Sequence, residues 1–375
     1  MAESSENSAA ADCQTPAYQA LLSRPALPGD GRAQGGQGEG GTGPDTSDRP
    51  QVHRGSGGHP EDRQGHGCGQ GGRPGSRPHG VQVQMTAKYS HFLGCVMPAK
   101  MPWAEAAIMK SLPRMGVDVV YLEKSTCCPR AGVWISVDRR VWLTLASYNL
   151  LQAEQQGRDV MVSCNGCYVT LYEANKVLHE EPKALEEVNS YLAAAGKSYH
   201  GNLRIRHFLE VLYEDVGVER IRREGKKLNL RVAIHPGCHM RIFPDGRLVR
   251  YFTEILEAMG VTIVPYGLEQ MCCGLQSNLA DKDFATYDRA KKKMDRILQT
   301  DVDALVLVCA GCYDQFERVI STLRKKDGYD FNVPVIHLGE LIAISFGLKP
   351  DDFGMRYMRT APVDRLVEKL ENSQQ

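Results

Sequence analysis

The sequence predicts an α/β protein of two repeated β-α-β-α-β-α lobes, each a small parallel sheet flanked by helices, pseudo-two-fold related and preceded by a disordered N-terminal segment. Three observations predict it. From Lys88 onward, short apolar runs suited to strands alternate with amphipathic stretches suited to helices. The same order then recurs, with cysteines in register at offsets of 143 to 145 residues. Residues 1–84, in contrast, hold 18 of the 37 glycines and no Lys, Ile, Phe or Trp. So little apolar surface does not offset the entropy of ordering, which predicts disorder there.

The first lobe spans residues 85–180. "YSHFLGC" reads as a strand, "MPWAEAAIMKSLPRMG" as a helix closed by Gly116, and "VDVVYL" as a second strand. "CCPRAG" is a loop, "VDRRVWLTLASYNLLQAEQQG" a long helix, "DVMVSC" a third strand, and "NGCYVTLYEANKVL" opens another helix. Residues 181–229 read as extra helices and a linker. The second lobe, 230–350, repeats the order with "LRVAIHPGC", "RLVRYFTEILEAMG", "VTIVPY", "MCCG", "KDFATYDRAKKKMDRILQT", "DALVLVC" and "AGCYDQFERVISTL". Residues 351–375 are a tail, and the run "HLGELIAISFGLKPDDFGMRYM" is expected to form a terminal helix that docks a partner. Met85 opens the folded pattern and is a candidate natural start.

With 375 residues, 42% of them hydrophobic, and Lys+Arg equal to Asp+Glu at 45 each, the chain can bury one or two cores, and its charge balance points to no nucleic acid. "KKKMDR" and "RRVWLT" are basic only in isolation and read as solvated helix faces. No apolar run reaches the ~20 residues of a membrane span, so a cytoplasmic protein is the default expectation. Twelve cysteines are many for such a chain. A reducing compartment disfavours disulfides and a core this size needs no staples, which turns attention to metal or redox chemistry. Cys13 and Cys68 stand alone in the N-terminal segment.

The other ten follow the ends of successive strands, where an open parallel sheet gathers its ligand-binding loops. Cys95 matches Cys238, Cys127 and Cys128 match Cys272 and Cys273, and Cys164 and Cys167 match Cys309 and Cys312. Cys128 to Cys164 and Cys273 to Cys309 are both 36 residues, and Cys95 to Cys127 is 32 against 34 for Cys238 to Cys272. Five thiols from three loops thus converge on one crevice in each lobe. The pairs in "CNGC" and "CAGC" lie where a strand hands over to a helix, so the helix dipole and free N–H groups favour thiolates, with Gly166 and Gly311 giving the backbone a close turn. Buried apolar thiols would not repeat in register. A thioredoxin-like dithiol needs one C-x-x-C, whereas zinc uses four ligands and remains open for one lobe. A fifth thiol suits a larger metal centre, in which adjacent cysteines serve different irons.

This pattern of a Cys, then Cys-Cys-Gly or Cys-Cys-Pro, then C-x-x-C resembles the CCG-domain family, and the two copies over residues 88–350 resemble its members that are the B subunits of heterodisulfide reductases. The resemblance implies two non-cubane 4Fe-4S clusters, one on Cys95, Cys127, Cys128, Cys164 and Cys167, the other on Cys238, Cys272, Cys273, Cys309 and Cys312. It further implies that a disulfide, such as that of coenzymes M and B, lies between them and is cleaved reductively. Electrons would arrive from a partner like the reductase's C subunit, with cubane 4Fe-4S clusters, fed by one like its A subunit, which bears FAD and further iron–sulfur clusters. Pro129 stands where the motif name expects Gly, and no ferredoxin-type cysteine run is present. Two other functions stay open: an electron-transfer CCG subunit of a glycolate, lactate or succinate oxidoreductase, and a zinc-binding scaffold.

Other candidates are His235 and His239, which flank Cys238 and could ligate a metal or, for His239, donate a proton. Arg130, Lys100 and Arg241 are near the cysteines and could grip anionic groups. Tyr168 and Tyr313, each following a C-x-x-C, are expected to pack.

Overall fold

The computed structural model describes residues 87–357 and 359–372. The expectations of disorder over 1–84, of Met85 as a start and of lone Cys13 and Cys68 lie outside the described residues.

The alternating pattern does build two parallel sheets. In the first lobe, β1 (Ala87–Phe92) is followed by α1 (Pro102–Ser111), β2 (Val117–Tyr121), α2 (Ala131–Val137), α3 (Arg139–Gln156), β3 (Asp159–Val162), α4 (Asn165–Glu180), α5 (Pro182–Ala193) and β4 (Ile205–His207). In the second, β5 (Arg231–His235), α6 (Arg247–Ala258), β6 (Thr262–Ile263), a π-helical stretch (Phe284–Lys291) leading into α7 (Lys292–Ile297), β7 (Ala304–Leu307), α8 (Ala310–Asp327) and β8 (Val335–His337) precede α9 (Leu338–Ser345) and α10 (Asp364–Asn372). Both sheets are four-stranded and parallel, in the orders β2-β1-β3-β4 and β6-β5-β7-β8.

Local signals account for the element ends. Pro102 opens α1 at the first helical position, where its missing N–H costs no ladder bond, and Gly116 ends the turn after it in the left-handed region at φ 77°. The long helix read from the sequence is α3, and Asp138 starts it: its carboxylate accepts from the N–H groups of Arg140 and Val141, capping α3 and separating it from the short α2 that precedes it. The central strands β1 and β3 pair in register through Tyr89 with Asp159 and Phe92 with Val162, which brings their C-terminal loops together.

Two expectations change. The helical linker over 181–229 also contains β4, and β8 matches it in the second lobe, so each sheet gains a fourth strand. The run beginning at His337 starts inside the fold and not as a free terminal helix: His337 ends β8, and α9 is buried throughout. A Cβ added at Gly339 would lie 2.4 Å from Ile108 Cγ1, so α9 of the second lobe rests backbone-close on α1 of the first.

Candidate metal centre

Each strand end delivers its cysteine as the topology requires. The loops after β1, β2 and β3 carry Cys95, the Cys127–Cys128 pair and Cys164, and those after β5, β6 and β7 carry Cys238, the Cys272–Cys273 pair and Cys309. All ten are free thiols. Nine of them, Cys127 being the exception, line a single cleft that takes in both lobes. Cys128 Sγ and Cys167 Sγ approach to 3.1 Å, Cys273 Sγ and Cys312 Sγ to 3.4 Å, and across the lobes Cys164 Sγ and Cys309 Sγ to 3.9 Å.

Backbone geometry permits this crowding. Gly94 and Gly237, each immediately before the first cysteine of its set, adopt φ 68° and 81°. A Cβ would meet Cys167 Sγ at 2.8 Å in the first case and Cys312 Sγ at 3.6 Å in the second. These are the glycines that let the backbone come close to sulfur. Gly166 and Gly311 instead lie inside the first turns of α4 and α8, and the room that Gly311 leaves is taken by Leu275. Gly274, at φ 92°, fits the CCG loop against the π-helical stretch, where a Cβ would lie 2.8 Å from the Ala285 carbonyl oxygen.

The thiols perturb one another as a metal-binding set does. Hydrogen bonds from Cys127 and Cys167 hold Cys128 down to about 5, and those from Cys238 and Cys273 hold Cys272 down to about 2. Cys164 lies well below the ordinary thiol range because Cys167 and Cys309 bond to it, aided by backbone N–H groups that include that of Gly311 from the other lobe. The donating partners are correspondingly pushed up, Cys95 by its bond to Cys127 and Cys238 by its bond to Cys272. Thiols sharing protons at such close range, nine of them around one cleft, are a ready soft-metal donor set. His235 adds to the fit: it is fully buried, neither ring nitrogen has a hydrogen-bond partner among the described residues, and its ligating atoms lie within 4.8 Å of Cys273 and Cys312.

Comparison with known proteins agrees with this architecture. The cysteine-rich CCG domain model matches twice, at residues 89–172 and 232–317. The chain is 35% identical over 297 residues to the B subunit of the ferredoxin:CoB-CoM heterodisulfide reductase of Methanosarcina mazei, covering 76% of this chain and 98% of that protein. The chain belongs to the family of heterodisulfide reductase B subunits. A protein of Archaeoglobus profundus described as like that B subunit is 32% identical, over 76% of this chain and 98% of that one. The 8-methylmenaquinol:fumarate reductase membrane anchor subunit of Wolinella succinogenes is 26% identical, over 73% and 97%. Among solved structures, a hypothetical protein from Helicobacter pylori shares the fold at TM-score 0.59 and 14% identity, over 73% of this chain and 52% of its own. Among the described residues, no helix is long and apolar enough to cross a membrane.

Within this heterodisulfide reductase family site, the candidates separate. Arg130 and His239 line the cleft, and Arg130 Nη1 donates to Gln276 Oε1 at 3.2 Å. Lys100 is exposed and outside the cleft, and Arg241 lines a separate groove with Phe243. Tyr168 and Tyr313 are buried, Tyr168 donating to Glu210 at 3.1 Å and Tyr313 packing edge-on against Trp103.

Sequence reading missed two histidines. His207 and His337 end β4 and β8, and each accepts at Nδ1 from a backbone N–H (Leu209, Gly339) while Glu210 or Glu340 accepts from the histidine's own backbone N–H. The acceptor role of Nδ1 fixes the proton on Nε2. His207 therefore donates to Asn165 Oδ1 at 2.9 Å, and His337 to the Ser163 carbonyl at 3.0 Å, both beside Cys164. The repeated H-x-x-E in "HFLE" and "HLGE" was the available signal.

Proposed function

We propose that the chain is the catalytic iron–sulfur subunit of a heterodisulfide reductase-type complex, reducing the coenzyme M–coenzyme B heterodisulfide or a related disulfide. The first set, Cys95, Cys127, Cys128, Cys164 and Cys167, would hold one non-cubane 4Fe-4S centre, and Cys238, Cys272, Cys273, Cys309 and Cys312 the other. The observation that carries this reading is the shared cleft. Two repeat-matched thiol sets open onto one space, which suits a two-electron reduction of a substrate held between them, whereas a simple relay needs only one set. When bound, such centres supply electrons one at a time and offer iron to sulfur.

The chain's own residues bind and orient. Arg130, held by Gln276, presents a guanidinium at the cleft wall to an anionic group of the substrate. His239, whose pKa burial lowers, faces the same space and offers a ring proton to a departing thiolate. Reduction consumes two electrons and two protons and yields two thiols. The electrons would come from two partner proteins, one of the reductase's C type with cubane clusters and one of its A type with flavin.

Anaerobically prepared protein should contain about eight irons and no zinc, as two four-iron centres require. Its electron paramagnetic resonance signal should change when the coenzyme disulfide or the thiols are added. A signal unmoved by either would overturn the disulfide-reducing role. It would favour electron transfer to another oxidoreductase, a second reading that the Wolinella fumarate reductase relative supports. Zinc in place of iron would leave only a scaffold.

A further inference from the structure

The two thiol sets match in sequence, but their surroundings do not. Lys293 sits on α7 behind the Cys272–Cys273 loop and is fully buried. Its ammonium donates to the carbonyls of Leu268 and Glu269, the residues leading into that loop, and lies over the Tyr266 ring at 5.2 Å. The corresponding helix of the first lobe supports its cysteine loop with a neutral group. There Asn149, also fully buried, accepts from Thr126 N at 2.7 Å and donates to the Cys127 carbonyl at 3.5 Å.

The nearest cation to the first set is Arg130, which is half-exposed at the cleft wall, so solvent and salt weaken its field. Lys293 has no such screening. Burial pulls its pKa down to about 8, and the charges of Cys273, Glu269, Cys312 and Cys272 act to keep its proton on. A second difference has the same sign. His235 stands where the first lobe has Phe92, and its unpartnered ring nitrogens lie next to Cys273 and Cys312. A ring N–H there would turn the positive end of its dipole toward the same sulfurs.

We infer that Lys293 makes the two centres electrically unequal, setting the Cys238/Cys272/Cys273/Cys309/Cys312 centre at the higher reduction potential, so that it is the first of the two to accept an electron. A fixed positive charge in a poorly screened position stabilises whichever oxidation state is more negative, and the reduced centre carries one more negative charge than the oxidised one. Lys293 reaches the cysteines through the loop carbonyls it holds and through its charge, and so is a positioning and charge-setting residue.

The inference rests on the reading that each lobe holds an iron–sulfur centre, and the test separates the two. The full chain, loaded anaerobically with iron and sulfide, is titrated against potential by electron paramagnetic resonance, with Cys128→Ser and Cys273→Ser assigning the signals to lobes. In the wild type, the second-lobe centre should titrate at the higher potential. Lys293→Met should lower its midpoint so that the reduced-to-oxidised ratio at fixed potential falls at least tenfold, which is about 59 mV for one electron. The first-lobe midpoint should stay in place, and Lys293→Arg should restore most of the shift.

Wild-type centres that titrate together or in the opposite order overturn the inference, as does an iron-replete Lys293→Met with an unmoved midpoint. If Lys293→Met loses second-lobe iron, the wild-type order and Lys293→Arg decide. Absence of any paramagnetic iron centre in the wild type would defeat the iron–sulfur reading itself.

Discussion

The side-chain amide of Asn165, the residue after Cys164, donates to the backbone carbonyl of Pro236 at 2.7 Å. This bond joins the N-terminus of α4 in one lobe to the loop bearing Cys238 in the other. The amide's orientation is fixed, because His207 donates to its oxygen and leaves only the NH₂ for Pro236. Asn165→Leu would strand His207 Nε2–H and the Pro236 carbonyl in a buried place. Chemical denaturation should show a loss of about 1–3 kcal/mol, and the second-lobe centre, whose Cys238 loop is released, should lose iron first.

Gly94 and Gly237 make a matched pair of lobe-specific probes. Alanine at either position forces a positive φ on a residue with a Cβ, at about 1–3 kcal/mol, and brings that carbon toward a sulfur. The contact is tighter at Gly94, 2.8 Å from Cys167 Sγ, than at Gly237, 3.1 Å from Asn165 Nδ2 and 3.6 Å from Cys312 Sγ. Gly94→Ala should therefore cost more iron than Gly237→Ala, and from the first lobe only. Metal analysis of the two variants side by side checks the ranking.

Cys273→Ser should halve the iron content and leave the Cys128 centre largely assembled, and Cys128→Ser should do the converse. Each cysteine belongs to one set, and the only thiol contact across the lobes is that of Cys164 with Cys309 among the described residues. Iron quantitation together with the spectroscopic signal of the surviving centre reads this out. Loss of both centres from either variant would mean that the sets assemble together.

Four fully buried histidines predict acid sensitivity, three of them, His91, His207 and His337, away from direct contact with the sulfurs. Burial holds His91 and His207 down to about 3 and His337 down to about 4. The unfolded chain takes up these protons near pH ~6.5, whereas the folded chain resists, so stability falls as pH drops through that value and the loss saturates near the folded pKa values. Each histidine contributes a slope of up to about 1.4 kcal/mol per pH unit in that window. Denaturation midpoints measured from about pH 7 down to about pH 5 should fall steeply in the wild type and less steeply in His337→Gln.

Much of the fold and nearly all of the thiol site could be read from the chain because both are local in sequence. Strand-helix alternation and a cysteine at each strand end are written in consecutive residues. The fourth strands escaped because "IRH" and "VIH" are three residues each, too short to show a period of two. Lys293 escaped for the opposite reason. In "KKKMDR" it has the look of a solvated charge run, and Lys292 is indeed exposed, but its carbonyl partners lie 24 and 25 residues earlier and only the tertiary fold supplies them. Gly166 and Gly311 were legible as close-turn positions, but Gly94, the glycine that makes room for sulfur, carried no local signal, because the Cys167 Sγ it faces is 73 residues away.

The seat of α9 on α1, with Gly339 against Ile108, has a mechanical consequence. A hinge between the halves would have to pull a fully buried helix off its neighbour and tear the cross-lobe hydrogen bonds at Ser163 and Pro236. The cleft behaves as a fixed-gauge jaw rather than a closing one. Its width is therefore set by packing between the lobes, and not by a rigid-body movement of one half against the other.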